Sequence, residues 1–380
     1  MGEKPSTSLL ISRKERVNIN MIKLKKEIAE LLHEGTAIPA LPLALNEDRT
    51  FDELQERILL NYYLDSGVGG LAVGVHTTQF NIRDPKVNLY ERILRVASQE
   101  IEVAKLNRPF IKIAGVCGPT EQAEAEAAIA AKYNYDIALL SMGGLNNYSE
   151  EELLERTKRI AEIIPVFGFY LQTVAGGRVF SYDFWERFMN IEGVVGVKTA
   201  PFNRYQTLDV LRAVCNSPRC EDIAVYTGND DNIIVDLLTT YEFNVQGRTV
   251  RKDIIGGLLG HFAVWTSKAA ELLEEVKKAK STNDLASLLT KNVQVTDCNG
   301  AFFDVRNNFA GCIAGINEVL ARQGLLKGNW CLDPEELLGP GQGEEIDRVY
   351  REYPELNDDA FVKENLPKWR KAAEEHMKLF

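Results

Sequence analysis

The chain has 380 residues, of which 45% are hydrophobic and 26% are charged, and it carries a net charge of −11. This length suits one large domain with additions or two domains, and the composition is that of an ordinary globular protein. The negative charge argues against a nucleic-acid partner, because phosphate binding requires clustered lysines and arginines.

No apolar run approaches the about 20 residues that a membrane helix requires, and the charged first 35 residues do not resemble a signal peptide. The six cysteines form no CxxC pair or regular framework, which is typical of reduced thiols. The four histidines are widely spaced and form no zinc motif. These features predict a cytoplasmic protein that uses neither a membrane nor a metal or other cofactor.

Strand-like and helix-like segments alternate along the chain, after an amphipathic helix predicted over 21–33. The predicted strands cover 36–45, 69–75, 110–116, 135–141, 165–170, 193–198, 222–227 and part of 243–259. The predicted helices between them cover 51–66, 89–106, 119–132, a segment that starts at Ser149, 182–189 and 231–240. The eighth strand is the least defined, because Ile254 to His261 also fits a loop and a helix entry.

Eight such units predict a (β/α)8 TIM barrel with an N-terminal helix and a C-terminal helical extension. An open doubly wound sheet is the alternative, which the absence of a Gly-x-Gly-x-x-Gly motif disfavours. The predicted boundaries are 1–35 for the N-terminal segment, 36–266 for the barrel and 267–380 for the extension. Helices are expected in the extension over 267–280, 283–289 and 307–323, with buried apolar faces.

Two residues at strand ends carry chemistry. Lys198 ends the run Gly193-Val-Val-Gly-Val-Lys198, and Tyr170 ends Pro165-Val-Phe-Gly-Phe-Tyr170. The carboxyl ends of barrel strands are where active sites collect, and a lysine in apolar surroundings can lose its proton and attack a carbonyl group. A solvated or salt-bridged lysine and a packed tyrosine are the ordinary alternatives.

With these residues, the chain resembles the dihydrodipicolinate synthase / N-acetylneuraminate lyase superfamily over about residues 36–266. The segments that carry the resemblance are Phe169-Tyr170, Gly196-Val-Lys198, His76-Thr-Thr78 and Tyr226-Thr-Gly-Asn-Asp230. The resemblance implies a small-molecule 2-oxo acid and an aldehyde as reaction partners. It also implies a homodimer or homotetramer.

The resemblance further implies roles for single residues. Lys198 would form an imine with the 2-oxo acid, and Tyr170 would shuttle protons. Thr77, Thr78 and Gly228 would bind the substrate.

The chain departs from the family pattern at several positions. Ala175 stands where the lysine-biosynthesis branch has an arginine for the distal carboxylate, with Arg178 as an alternative cation three residues further on. Gly144 and Leu145 replace a tyrosine pair of that branch, and Tyr148 is displaced. Gln79-Phe80 replaces the Gly-Glu that follows the threonine pair.

These features favour a Schiff-base lyase, an aldolase that makes or breaks a C–C bond of a pyruvate-like acid through Lys198. A dehydratase or decarboxylase of a sugar-derived 2-oxo acid would use the same imine. A barrel that binds an oxo acid without catalysis, in a regulatory or assembly role, is the alternative from another class. His261 follows a glycine-rich segment and fits either a phosphate site or a packed histidine.

Overall fold

The computed structural model describes residues 23–282 and 285–380. In chain order its strands are β1 (Ala37–Pro39), β2 (Gly70–Val73), β3 (Ile111–Val116), β4 (Ile137–Leu140), β5 (Val166–Leu171), β6 (Val194–Ala200), β7 (Ala224–Thr227), β8 (Thr240–Val245), β9 (Arg248–Asp253) and β10 (Gly256–Leu259). All except β8 and β9 form one parallel sheet of order β1-β10-β7-β6-β5-β4-β3-β2, and a parallel bridge between Ala40 and Ala72 joins its two ends. The predicted (β/α)8 barrel is therefore confirmed.

Helices separate the strands and continue beyond them. They are α1 (Lys26–Glu34), α2 (Glu53–Asp65), α3 (Tyr90–Val103), α4 (Thr120–Lys132), α5 (Glu150–Ala161), α6 (Tyr182–Met189), α7 (Arg204–Asn216), α8 (Ile233–Leu238), α9 (Thr266–Thr282), α10 (Ala286–Phe302), α11 (Cys312–Arg322), α12 (Gln342–Glu352) and α13 (Asp359–His376). Helix α5 begins with the capping box that its sequence predicts, in which Ser149 and Glu152 exchange hydrogen bonds. None of the described helices is long and apolar enough to cross a membrane.

Two apolar layers hold the barrel together. The inner layer fills the barrel with side chains that alternate strand residues point inward, such as Ile113, Phe167 and Leu258. The outer layer lies between the strands and the surrounding helices and includes Val197 and Trp185. A shift of one position along a strand therefore moves a side chain from one layer to the other.

Helix α1 closes the amino-terminal end of the barrel. Ile28 and Leu32 pack into the inner layer, and the Tyr226 hydroxyl donates a hydrogen bond to the Leu32 carbonyl at 2.9 Å. The helix predicted over 21–33 begins in the structure at Lys26. Residues 21 and 22 of the prediction lie outside the described part of the chain.

The eighth barrel strand is β10, at the glycine-rich segment that also fitted a loop and a helix entry. An antiparallel hairpin of β8 and β9 precedes it, which the sequence reading did not separate from the strand. Gly256 and Gly257 fit this position because a Cβ at either one would lie within 2.6 Å of atoms of Tyr226, Thr36 or Phe262.

The C-terminal helices pack against the barrel. The apolar face predicted for the segment 307–323 is buried at Ile313, Ile316 and Leu320. Helices α12 and α13 lie in a tail that the sequence reading left without helices. The outer apolar cluster includes residues of the barrel and of α9 to α13, so the three-part division of the chain stays a prediction.

Candidate active site

A cavity of about 280 Å³ opens at the carboxyl ends of the barrel strands. Phe169, Leu171 and Ala200 form part of its largely apolar wall. Its polar groups include Lys198 and Asp230. This is the end of the barrel at which active sites of this fold are built.

Lys198 reaches this cavity from β6, as predicted. Its ammonium nitrogen Nζ lies 4.4 Å from the centroid of the Phe169 ring. Burial lowers the pKa of Lys198 to about 8, although the nearby carboxylate of Asp230 acts in the opposite direction. Lys198 therefore loses its proton at a lower pH than an ordinary lysine does, and the neutral amine is the form that attacks carbonyl groups.

Tyr170 does not reach the cavity. Its ring packs in the outer layer against Trp185, with ring centroids 4.9 Å apart, and its hydroxyl accepts only a long hydrogen bond of 3.5 Å from the Phe180 N–H. The residue that lies beside Lys198 on β5 is Phe169, since Tyr170 is in register with Thr199. The predicted pairing of Tyr170 with Lys198 across the two strands is wrong.

A β-bulge explains this error of one residue. Val166 pairs with Val194, but the next residue of β5, Phe167, pairs with Gly196, so Val195 has no partner. The extra residue in β6 shifts the register of everything after it by one position. The sequence spacing of 28 residues between Tyr170 and Lys198, which is 198 minus 170, does not reveal such a bulge.

The threonine pair is divided between two tasks. The Thr78 side chain is fully buried and donates a hydrogen bond of 2.6 Å to the Leu41 carbonyl, so it holds the loop. Thr77 lines the cavity with His76, and the backbone N–H groups of these two residues have no hydrogen-bond partner within the described chain. These N–H groups are available donors for a carboxylate.

His76 enters the same cavity as a neutral side chain. Burial lowers its pKa to about 4, and the charge of Lys198 contributes in the same direction. Gln79, one of the departures from the family pattern, bonds elsewhere: its side-chain Oε1 accepts a hydrogen bond of 2.6 Å from the Leu332 N–H. The loop after β2 is thereby tied to the C-terminal extension.

The loop after β7 brings Gly228 and Asp230 to the cavity. Asn229 between them is buried and fixes the loop, because its amide donates to Asp236 at 3.0 Å and its Oδ1 accepts from the Phe202 N–H at 3.0 Å. Asp236 also accepts a hydrogen bond of 2.7 Å from Thr227. Such a satisfied buried network holds the loop in one conformation.

Asn299 of α10 connects two of the mouth loops. Its amide donates to the Asp230 carbonyl at 2.7 Å, and its Oδ1 accepts from the His261 ring at 2.7 Å. His261 is buried, and burial lowers its pKa to about 4, so it is a packed neutral histidine whose ring is held by Asn299. The sequence reading did not single out Asn299, since nothing in its local pattern relates it to a barrel loop.

The C-terminal extension also supplies part of the cavity wall. Phe303, Phe309 and Cys312 line it, and the Phe309 ring lies edge-on to Phe202 with centroids 6.0 Å apart. Phe202 and Phe309 have φ angles of 51° and 66°, which are uncommon for aromatic residues and often mark functional segments. These residues were missed because contacts between distant segments leave no local sequence signal.

Neither Ala175 nor Arg178 places a positive charge in the wall of the cavity. Ala175 lines the cavity. Arg178 turns away from it and donates hydrogen bonds to the Tyr148 and Leu145 carbonyls at 2.7 and 3.3 Å. Its guanidinium group lies over the ring of Phe180, 5.3 Å from the centroid. Arg178 is therefore engaged in holding loops and does not replace the missing arginine in this arrangement.

Residues 23–282 and 285–380 contain no group of three or more His, Cys, Asp or Glu side chains that could hold a metal ion. The arrangement combines an amine of lowered pKa, a carboxylate and free backbone donors in one partly enclosed cavity. This combination can bind an oxo acid and form an imine with it.

Neither a protein-family model nor a curated protein matches the chain. Solved structures do match its fold. The N-acetylneuraminate lyase of Fusobacterium nucleatum complexed with pyruvate is 19% identical, with a TM-score of 0.64 over 85% of this chain and 98% of that one. A dihydrodipicolinate synthase of Oceanobacillus iheyensis is 16% identical, with a TM-score of 0.66 over 86% and 99% of the two chains.

A dihydrodipicolinate synthase of Bacillus anthracis is 18% identical, with a TM-score of 0.67 over 84% of this chain and 98% of that one. Identities this low establish a common fold and leave the activity open. The predicted resemblance is therefore confirmed at the level of the fold: this chain has the same barrel fold as these lyases and synthases.

Proposed function

We propose that the protein is a Schiff-base lyase, an aldolase that forms or cleaves a C–C bond of a pyruvate-like 2-oxo acid. The observation that carries the proposal is Lys198, whose amine projects into the cavity with a pKa lowered to about 8 by burial. The amine attacks the ketone carbon and forms an imine. The protonated imine then stabilises negative charge at the adjacent carbon, which permits C–C bond formation or cleavage.

The rest of the cavity suits the oxo acid. Its carboxylate can accept hydrogen bonds from the free backbone N–H groups of His76 and Thr77. The pyruvate found with the F. nucleatum lyase, which shares this fold, supports an oxo acid of the same size. A homodimer or homotetramer stays a prediction from the resemblance.

Borohydride trapping tests the proposal. The protein is incubated with pyruvate, reduced with borohydride and weighed intact. We expect a mass gain of one pyruvic acid less one oxygen atom, because reduction makes the imine a stable secondary amine. A protein that gains no mass over a range of 2-oxo acids would instead support the barrel that binds an oxo acid without catalysis. Since the dehydratase and decarboxylase alternatives share the imine, product analysis separates them from the aldolase.

The acceptor part of the cavity favours a neutral aldehyde. Lys198 is the one lysine or arginine among the described residues that line the cavity. Gln172 also lines the cavity, and its amide can form hydrogen bonds with a hydroxylated aldehyde. Since Lys198 is used for the imine, the carboxylate of an acidic aldehyde finds no second cation in the cavity wall. It therefore lacks a charge-assisted hydrogen bond of about 1.5–3 kcal/mol, or roughly one to two decades in binding.

We expect condensation of pyruvate with propanal or glyceraldehyde to exceed that with aspartate semialdehyde by roughly one to two decades in kcat/KM. The measurement compares these aldehydes at equal enzyme concentration. Arg178→Ala serves as the control, because it should not alter the ranking. If aspartate semialdehyde is the best acceptor of the wild-type protein, the expected ranking is wrong. If this preference is then lost in Arg178→Ala, Arg178 serves the role of the missing arginine.

A further inference from the structure

We propose that Asp230 is the catalytic acid and base of this cavity, in the place that the resemblance gives to a tyrosine. The inference rests on the proposed imine chemistry at Lys198 and assigns the group that transfers its protons. The proposed chemistry requires proton transfer, but Tyr170, the residue expected to perform it, lies in the outer apolar layer.

Asp230 has the required position. It lines the same cavity as Lys198, and the two side chains do not form a direct salt bridge, so a substrate atom can lie between them. Its Oδ1 accepts a hydrogen bond of 3.0 Å from the His261 N–H, whereas no other residue of the described chain donates a hydrogen bond to its Oδ2. One oxygen thus fixes the carboxyl group, and the other is free to exchange a proton with a ligand.

Two hydrogen bonds fix the loop around Asp230. The Asn299 amide donates to the Asp230 carbonyl, and Asn229, which precedes Asp230, donates to Asp236 in the buried network. A proton-transferring group must stay within hydrogen-bond reach of the reacting atoms. The C-terminal extension therefore acquires a role in catalysis through Asn299, which positions the loop without touching the substrate.

The electrostatics agree with this geometry. Burial raises the pKa of Asp230 to about 7, and the charge of Lys198 limits the rise. The pKa of Lys198 is lowered to about 8. Because these values lie close together, the pair can hold one proton on either group, and the form with a neutral amine and a protonated carboxyl group is accessible near neutral pH.

The proton transfers balance over the reaction. The neutral amine of Lys198 forms a C–N bond to the ketone carbon, and the former carbonyl oxygen takes up the proton that the nitrogen loses. The carboxyl group of Asp230 donates its proton to this hydroxyl group, the C–O bond breaks, and water leaves as the nitrogen lone pair forms the protonated imine. The Asp230 carboxylate then removes a proton from the adjacent carbon, and the C–H electron pair becomes the C=C bond of a neutral enamine.

Other titratable groups surround Asp230 and can affect its pH dependence. Lys198 faces it from β6, and Asp231 follows it in the same loop. The backbone N–H of His261 donates a hydrogen bond to Asp230. Burial lowers the pKa of the His261 ring to about 4, so the ring is neutral near neutral pH. The thiol of Cys312 on α11 also faces the cavity, and burial raises its pKa, so it stays protonated near neutral pH.

Exchange of the methyl protons of pyruvate in D2O tests the assignment, because it requires the imine and the enamine but no aldehyde. We expect Asp230→Asn to slow this exchange by about 10²–10⁴-fold, the usual effect of removing a positioned acid or base. Borohydride trapping after long incubation should still give the wild-type adduct yield, since Lys198 is intact. Asp231→Asn and Tyr170→Phe are the matched controls and should exchange at the wild-type rate.

The dependence of the exchange on pD separates catalysis from a structural role. Wild-type exchange should rise and then fall with pD, because the reactive pair carries one proton. Asp230→Asn should lose the fall at high pD, and its rise should move to lower pD, because the carboxylate no longer raises the pKa of Lys198. Asn keeps an oxygen that accepts from the His261 N–H, so the loop is preserved.

Wild-type exchange by Asp230→Asn, a retained fall at high pD or a lost adduct after long incubation would each overturn the assignment. Loss of exchange in Tyr170→Phe alone would return the role to the tyrosine. A wild-type protein that forms no adduct would overturn the imine chemistry itself, which is a different result from any of these.

Discussion

Lys198→Ala is expected to abolish borohydride-dependent adduct formation with pyruvate. It should also reduce turnover by roughly 10⁴–10⁶-fold, the scale observed when an enzyme loses its covalent nucleophile. The substitution removes the only amine in the described wall of the cavity and leaves mostly apolar atoms behind. Folding should be retained, because a partly buried charge is replaced by a small apolar side chain. Intact-mass analysis after reduction measures the adduct.

Lys112 provides a matched control for this experiment. It is also a lysine of a barrel strand, it is buried, and burial lowers its pKa. Its Nζ, however, donates to the Ser98 hydroxyl at 3.1 Å and to the Tyr133 carbonyl at 3.3 Å, on the outer side of the sheet. Lys112→Met should therefore form the wild-type adduct. An adduct that persists in Lys198→Ala, or a modified peptide that contains Lys112, would contradict the assignment of the nucleophile.

The repeating β/α pattern was predictable because each buried parallel strand is a short apolar run between polar segments. Helix α6 has the bounds expected from sequence, Tyr182–Met189. The hairpin of β8 and β9 was not predicted, because its strands are polar and largely exposed. Helices α12 and α13 were not predicted either, because most of their residues are polar and only a narrow apolar face is buried. Burial of Trp369 against Tyr62, with rings 5.5 Å apart, depends on a contact across most of the chain.

The candidate site was predictable only in part. Lys198 could be found because it ends an apolar strand. Asp230 lies in one of the segments that carry the resemblance, but no catalytic role was predicted for it. The bulge at Val195 could not be read from the sequence, because an extra residue in a strand changes neither its composition nor its hydrophobicity. That one residue decides whether Phe169 or Tyr170 lies beside the amine. Register is thus the property that spacing between motifs predicts least well.

Gly228→Ala is expected to reduce the rates of adduct formation and turnover by about 10²-fold or more. A Cβ at this position would lie 2.3 Å from the Cε of Lys198 and 2.8 Å from the Cβ of Ala200. The Lys198 chain lies across Gly228, and its flexible end is the group that can move. The substitution should therefore displace the amine from its place in the cavity rather than unfold the barrel.

The stability of Gly228→Ala should fall by only about 1–3 kcal/mol, the usual cost of overpacking. Gly343→Ala is the matched control, because Gly343 lies within α12 and an added Cβ there meets no atom within 4 Å. That control should keep the wild-type rate and lose no stability, since the added methyl group meets no atom and alanine is a better helix former than glycine. Both variants are compared by thermal unfolding and by the rate of borohydride trapping.

A Gly228→Ala protein that traps pyruvate at the wild-type rate would mean that the amine tolerates displacement, and that its position is set elsewhere. A protein that fails to fold would mean instead that the contact with Ala200 is rigid. The expected result lies between these two, with a folded barrel and a slowed nucleophile. It would assign Gly228 a physical task, which is to leave space for the side chain of Lys198 at the carboxyl end of β7.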